Sequence, residues 1–215
     1  MRTDNGQGLD ARKQPQQARS QATVDAIFDA TIQVLLVEGL QRLTTIRVAE
    51  RAGVSVGTLY QYFPQKQALL FAVLQRHLER VVRAIEDAAA SARDACLREM
   101  VKAVVAAFVK AKTANLDESR ALYAVAAELD SRDYVREVEA RNRAALEAML
   151  KTASDAHFDD ISTTTFMFTG ALVGPIRLLL EGKLPQSVIR KFPSQLESIC
   201  IGYLEREARS KLSAD

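Results

Sequence analysis

The chain has little that would break or staple a fold. Its 215 residues include only 9 glycines and 5 prolines, with long stretches free of both, and alternating β-branched runs are nearly absent. Helix throughout follows, because glycine and proline are the residues that end helices and alternation is the mark of strands. The two cysteines, Cys96 and Cys200, lie far apart, and neither has a Cys or His at ligand spacing. No metal is expected, and both read as ordinary buried thiols. Histidine occurs only at 77 and 157. There is no His-Glu-x-x-His, no glycine-rich phosphate loop and no Gly-x-Ser-x-Gly, so neither an enzyme nor a cofactor is expected. No uninterrupted apolar run reaches membrane length. The richest stretch, 166–180, contains Pro175 and Arg177, and the chain reads as soluble and cytosolic, with no membrane partner.

Apolar residues make up 48% of the chain, enough to bury a core for one large domain or two. Net charge is only +2, which excludes a protein that coats nucleic acid by bulk charge. Residues 1–66 carry 8 Lys/Arg against 6 Asp/Glu, whereas residues 67–215 carry 21 of each. The whole surplus therefore sits at the N-terminal end.

That end holds the most informative segment, Thr44 to Lys66. Two short helical patterns flank Gly53, which can take the positive φ that ends the first and turns the chain. Ser55 can cap the second. Ala49 and Ala52 are small where the helices must approach, and Val48, Val54 and Leu59 supply apolar plugs. The second helix carries small, hydroxylated and aromatic polar residues in place of the usual Lys and Glu, so it is dressed to lie against another surface. The pattern is that of a helix-turn-helix, whose second helix enters the DNA major groove.

The string Gly53-Val54-Ser55-x-Gly57-Thr58-Leu59-Tyr60-x-Tyr62-Phe63-Pro64-x-Lys66 closely resembles the TetR family of bacterial transcriptional regulators. The resemblance is strong over about residues 23–75, a quarter of the chain. It implies DNA contacts position by position. Thr44 and Thr45 fall where the family places phosphate and base contacts, and Arg47 at a frequently basic, DNA-facing position. Val56, Gly57, Tyr60 and Gln61 fall on the base-reading face. Ser55, Thr58 and Tyr62 fall where members touch phosphates, and Lys66 matches a far phosphate clamp. Gln65 departs from the Ser, Asn or Asp that usually caps the helix before this lysine.

The remaining periodicity predicts an all-α protein of about nine helices: a polar tail over 1–19, a helix-turn-helix domain over 20–66, and a helical domain over 67–215, which the resemblance implies is for effector binding and dimerisation. Arg12, Lys13 and Arg19 of the tail could brush DNA, though a solvated tail is the simpler reading. A long helix starting near Gln65 should join the two domains. Gly170 and Gly174, four apart on a helix over 159–182, permit a close helix approach, and Pro175 should kink that helix or loosen a turn. By resemblance the last two helices form a homodimer interface through Gly170, Gly174, Leu196, Ile199 and Tyr203.

The family usually binds a small molecule in its C-terminal domain. Candidate apolar contacts are Phe108, Tyr123, Met149 and Phe168; candidate polar ones are His77, Asn142, Thr164, Thr165 and Arg177. Arg177, a charge among apolar residues, invites either an acidic partner or an anionic ligand. The sequence thus reads as a ligand-responsive homodimeric repressor on a near-palindromic double-stranded operator, its effector unknown. The alternative is a DNA-binding adaptor of the same fold that answers to a protein partner or to nothing.

Overall fold

In the computed structural model, residues 18–182 and 184–210 are described. The tail residues Arg12 and Lys13, and the side chain of Arg19, lie outside that set. The described residues form α1 (Ala18–Glu38), α2 (Thr45–Ala52), α3 (Val56–Tyr62), α4 (Lys66–Ser91), α5 (Leu97–Thr113), α6 (Leu116–Glu128), α7 (Arg132–Leu150), α8 (Ile161–Glu181) and α9 (Gln186–Glu207). The two-residue strands β1 (Ala156–His157) and β2 (Arg209–Ser210) pair antiparallel, Ala156 with Ser210 and His157 with Arg209. The protein is all-α apart from this short clip. Cys96 sits just outside α5, at its N-cap position, and Cys200 is buried in α9.

The chain packs as two compact units. The first runs to Leu78 and adds Asp117–Ser131; the second comprises Glu79–Leu116 and Arg132 onward. The first unit is thus larger than the motif domain of 20–66 read from the sequence. It takes the first half of α4 and recruits α6 from what read as the C-terminal domain.

In the first unit, Ile27 and Phe28 of α1, Val48 and Ala49 of α2, Leu59 of α3 and Phe63 at its C-cap, Leu69 and Leu74 of α4, and Leu122 and Val125 of α6 share one apolar core. Phe28 and Phe63 stack at 5.6 Å between centroids. The α4 residue Arg76 lies over the Phe28 ring and reaches Asp25 and Asp29 of α1, at 3.4 and 3.0 Å. Buried His77 places Nδ1 3.4 Å from Glu118 of α6. α4 is therefore held on two sides within this unit.

In the second unit, α8 packs on α7 and α9, and α9 on α5. Ile85, Met100, Phe108, Leu146, Met149, Phe168, Leu172, Leu196 and Cys200 lie in its core. α8 continues through Pro175 to Glu181, and Asp160 caps it by accepting from the Thr163 amide at 3.0 Å. By length and composition α8 could cross a membrane, but its buried side, with Phe168, Leu172 and Leu179, belongs to this protein core. Arg141 of α7 grips two carboxylates of α4, reaching Glu79 at 2.6 Å and Glu86 at 2.8 Å.

Candidate nucleic-acid interface

The geometry of α2 and α3 follows from a few local hydrogen bonds. Thr44 has extended backbone and its side chain accepts from the Arg47 amide at 3.3 Å, starting α2. Gly53 ends it at φ 68°, with Gly53 N–H donating to the Glu50 carbonyl and Val54 N–H to Ala49. This pair of hydrogen bonds is a Schellman motif, which needs a left-handed residue at the position Gly53 fills. Ser55 then opens α3 by accepting from the Thr58 amide at 2.9 Å, while the two hydroxyls lie 2.8 Å apart.

Leu59 is fully buried on one side of α3, and this fixes which residues point away. Gly57, Tyr60 and Gln61 are exposed and Val56 is half-buried, so the residues assigned to base reading form one open face. Thr44 and Ser55 are exposed beside it and Thr58 is half-buried. A side chain at Gly57 would meet nothing closer than the Ser55 oxygen at 3.7 Å, so the glycine is not needed for packing within the protein.

Four assigned residues have work inside the fold. Tyr62 is only 8% exposed and its phenol lies 2.9 Å from the Ser20 hydroxyl, so it joins α3 to α1 and does not stand on the open face. Its place beside Phe63, at 6.3 Å between ring centroids, explains the burial. Thr45 is also buried, and its hydroxyl holds the Tyr60 phenol at 3.0 Å. Lys66 donates from Nζ to the Leu40 carbonyl at 3.0 Å, tying the start of α4 to the turn after α1. Arg47 leans back to α1, pairing with Glu38 and donating to the Arg42 carbonyl.

Ile46 escaped the sequence reading. It is 55% exposed on α2, beside Thr45 and Arg47. An apolar side chain between two polar ones in a short helix could have flagged it, since the inward positions of α2 were already filled by Val48 and Ala49.

The candidate effector residues divide between the two units. His77 belongs to the first unit, as does half-buried Tyr123. Phe108, Asn142, Met149, Thr164, Thr165, Phe168 and Arg177 belong to the second. Phe108, Met149, Thr165 and Phe168 are sealed in packing. Arg177 is a correction: its side chain is 66% exposed and bonds to Glu181 one turn on, at 2.9 Å, so it does not look into an apolar interior. Glu118, the buried acid beside His77, was not foreseen, because its partner lies on another helix. Among the described residues no group of acids, His and Cys could hold a metal.

The dimer-face residues also divide. Gly170, Gly174 and Ile199 are exposed, with Phe166, Met167 and Leu178 making the same side of α8 apolar. Leu196 is fully buried among the protein's own helices, so it is a core residue and not an interface one. It falls on the inward side of α9 with Cys200 and Leu204, at helical spacing. Tyr203 is half-buried and hydrogen-bonds Thr164 of α8.

Comparison with known proteins agrees with this architecture at both ends. The model described as bacterial regulatory proteins, tetR family, matches residues 27–73, and that of the tetracyclin repressor-like C-terminal domain matches 96–204. The repressor KstR of Mycolicibacterium smegmatis is 47% identical over 55 residues, 26% of this chain and 27% of that protein. The transcriptional activator FasR of the same organism is 33% identical over 135 residues, 62% of this chain and 56% of that one. The chain thus matches between about a quarter and just over half of these relatives' lengths. Two solved structures share the fold. A TetR transcription regulator from Haloarcula marismortui has a TM-score of 0.69 at 19% identity, covering 88% of this chain and 100% of that one. A TetR-like regulator from Rhodococcus sp. RHA1 has a TM-score of 0.61 at 21% identity, covering 90% and 99%. With both domain models matched, the second across half of its residues, the chain belongs to the TetR family of transcriptional regulators.

Proposed function

We propose that this regulator acts in the cytoplasm as a homodimeric repressor of a near-palindromic operator, released by a small-molecule effector. The observation that carries the DNA part is the open face of α3: Val56, Gly57, Tyr60 and Gln61 project from a helix anchored by Leu59. Thr44, Ser55 and Thr58 flank it with hydroxyls suited to phosphate oxygens. Two copies of α3 would read successive major grooves about 34–36 Å apart. The exposed apolar side of α8 around Gly170 and Gly174, continued by Ile199, is what supports a homodimer. Of the two relatives, KstR is named a repressor and FasR an activator, and repression is the sign of control proposed here.

The test is footprinting on the DNA upstream of its own gene, with selection from a random DNA pool beside it. A two-fold symmetric site of nanomolar-range affinity is expected. Neither protection nor an enriched palindrome would remove the proposal.

The sealed burial of Phe108, Met149 and Phe168 supports a second reading, a DNA-binding adaptor that answers to a protein partner. A thermal-shift screen separates the two. An effector that binds the folded state raises the melting temperature and releases DNA, whereas the adaptor gives no hits.

A further inference from the structure

Among the described residues, the interior of the second unit holds three buried polar side chains: Asn142, Thr164 and Thr165. Two are satisfied within the fold. The Thr165 hydroxyl donates to the Ile161 carbonyl at 2.7 Å, and Thr164 bonds Tyr203. Asn142 is different. It is 6% exposed, and its Oδ1 is sealed from solvent with no hydrogen-bond partner.

Nothing beside it on α7 can supply one. Val138 and Leu146, one turn to either side, are apolar. The preceding residue, Arg141, is turned to α4: its Nε and Nη2 donate to Glu86, and its Nη1 and Nη2 to Glu79. An orphaned buried acceptor is destabilising, and a leucine of similar volume would not carry that cost. An asparagine at such a position has a physical reason to exist if a ligand completes it.

We propose that Asn142 is the polar contact of the effector site, taking a neutral, largely apolar molecule through one hydroxyl that donates to the Asn142 side-chain oxygen. This rests on the effector reading above. The apolar body follows from the inward side of α7, where Val138, Leu146 and Met149, the buried neighbours of Asn142 at helical spacing, offer only hydrocarbon and sulfur. Met149 is unbranched and adaptable, so it can give way to an incoming group. Neutrality follows from the charges nearby: Arg141 is spent on two carboxylates and Arg177 faces outward to Glu181. A carboxylate would also bring no proton to Oδ1. A competing anchor in this unit is half-buried Lys112 of α5, next to Arg80, which would favour an anionic head instead.

The experiment uses the full chain and three probes of similar size: 1-octanol, heptyl methyl ether, which lacks the donor, and octanoate. Affinities are measured by calorimetry and thermal shift for the wild type and for Asn142→Leu. Wild type should bind octanol about tenfold more tightly than the ether, a gap that closes to about twofold in the variant. Ligand-free Asn142→Leu should melt at a higher temperature than wild type. Three results overturn the assignment: equal binding of octanol and ether by wild type, tighter binding of octanoate, which would assign the head group to Lys112 and Arg80, or a lower melting temperature for the ligand-free variant, which would show that Oδ1 already has a partner such as an ordered water. If none of the three probes binds or releases operator DNA, the effector reading falls along with it. If they bind but show no donor preference, only the role of Asn142 falls.

Discussion

The hydroxyls of Thr45 and Tyr60 lie 3.0 Å apart and join the first turn of α2 to the exposed face of α3. Thr45 is buried, so an effect of its substitution on DNA binding is expected to pass through Tyr60. Tyr60→Phe keeps the ring and removes the bond, and should cost about 0.5–1.5 kcal/mol of stability. Thr45→Val should weaken operator binding although the threonine itself does not face outward. A double-mutant cycle measured by urea melts and operator titration is the check. Additive effects in both would show that the two hydroxyls act separately.

The two glycines of the motif should respond in opposite ways. Gly53 sits at φ 68° in open space, so Gly53→Ala is strained by its backbone alone and should lose about 1–2 kcal/mol. Gly57 is helical and its missing side chain has room, so Gly57→Ala should gain up to about 1 kcal/mol of stability from helix propensity. If α3 lies against bases, the same substitution should weaken operator binding because DNA occupies that room. Thermal melts and gel-shift titrations of both variants decide it. A Gly57→Ala protein that binds as well as wild type would mean that no base approaches there.

On α8, the space next to Gly174 is also empty within one protomer. Gly174→Leu should therefore leave the protomer folded while pushing a facing helix away, an overpacking effect of about 1–3 kcal/mol. Sedimentation should show monomer with an unchanged helical circular dichroism spectrum. A variant that remains dimeric would move the interface away from Gly174.

Acid should loosen the grip of Arg141 on α4. Hydrogen bonds from Arg141, then from Arg83, hold the Glu79 carboxyl below its ordinary 4.5. A carboxyl whose folded pKa is depressed contributes stability above its unfolded value and loses it as pH falls through the folded value. Stability should thus decline as pH drops below about 4.5. The pair is partly exposed, so the contribution is about 1 kcal/mol at neutral pH. Arg141→Met should remove that increment at pH 7 and flatten the decline between pH 5 and 3, read by denaturant melts at each pH. An unchanged slope would assign the acid sensitivity to other carboxyls.

Much of the N-terminal site was determined by sequence alone because its causes are local. Thr44, Gly53 and Ser55 act on backbone groups within five residues, so capping, the left-handed turn and the two short helices follow from residue type and spacing. The helix count follows in the same way from periodicity and scarce glycine and proline. What tertiary structure decided is where each side chain's partner comes from. The Tyr62 hydroxyl meets that of Ser20, 42 positions away, a partner that spacing within the motif could not reveal. Lys66 is held by the Leu40 carbonyl, Leu196 turned inward on its own core, and Arg177 turned outward to Glu181. α6 shows the division most clearly. Leu122 and Val125 announce an apolar stripe, but a stripe carries no address. Only packing shows that it completes the core of the DNA-binding unit, because the free energy of burial depends on the area covered and not on which core covers it.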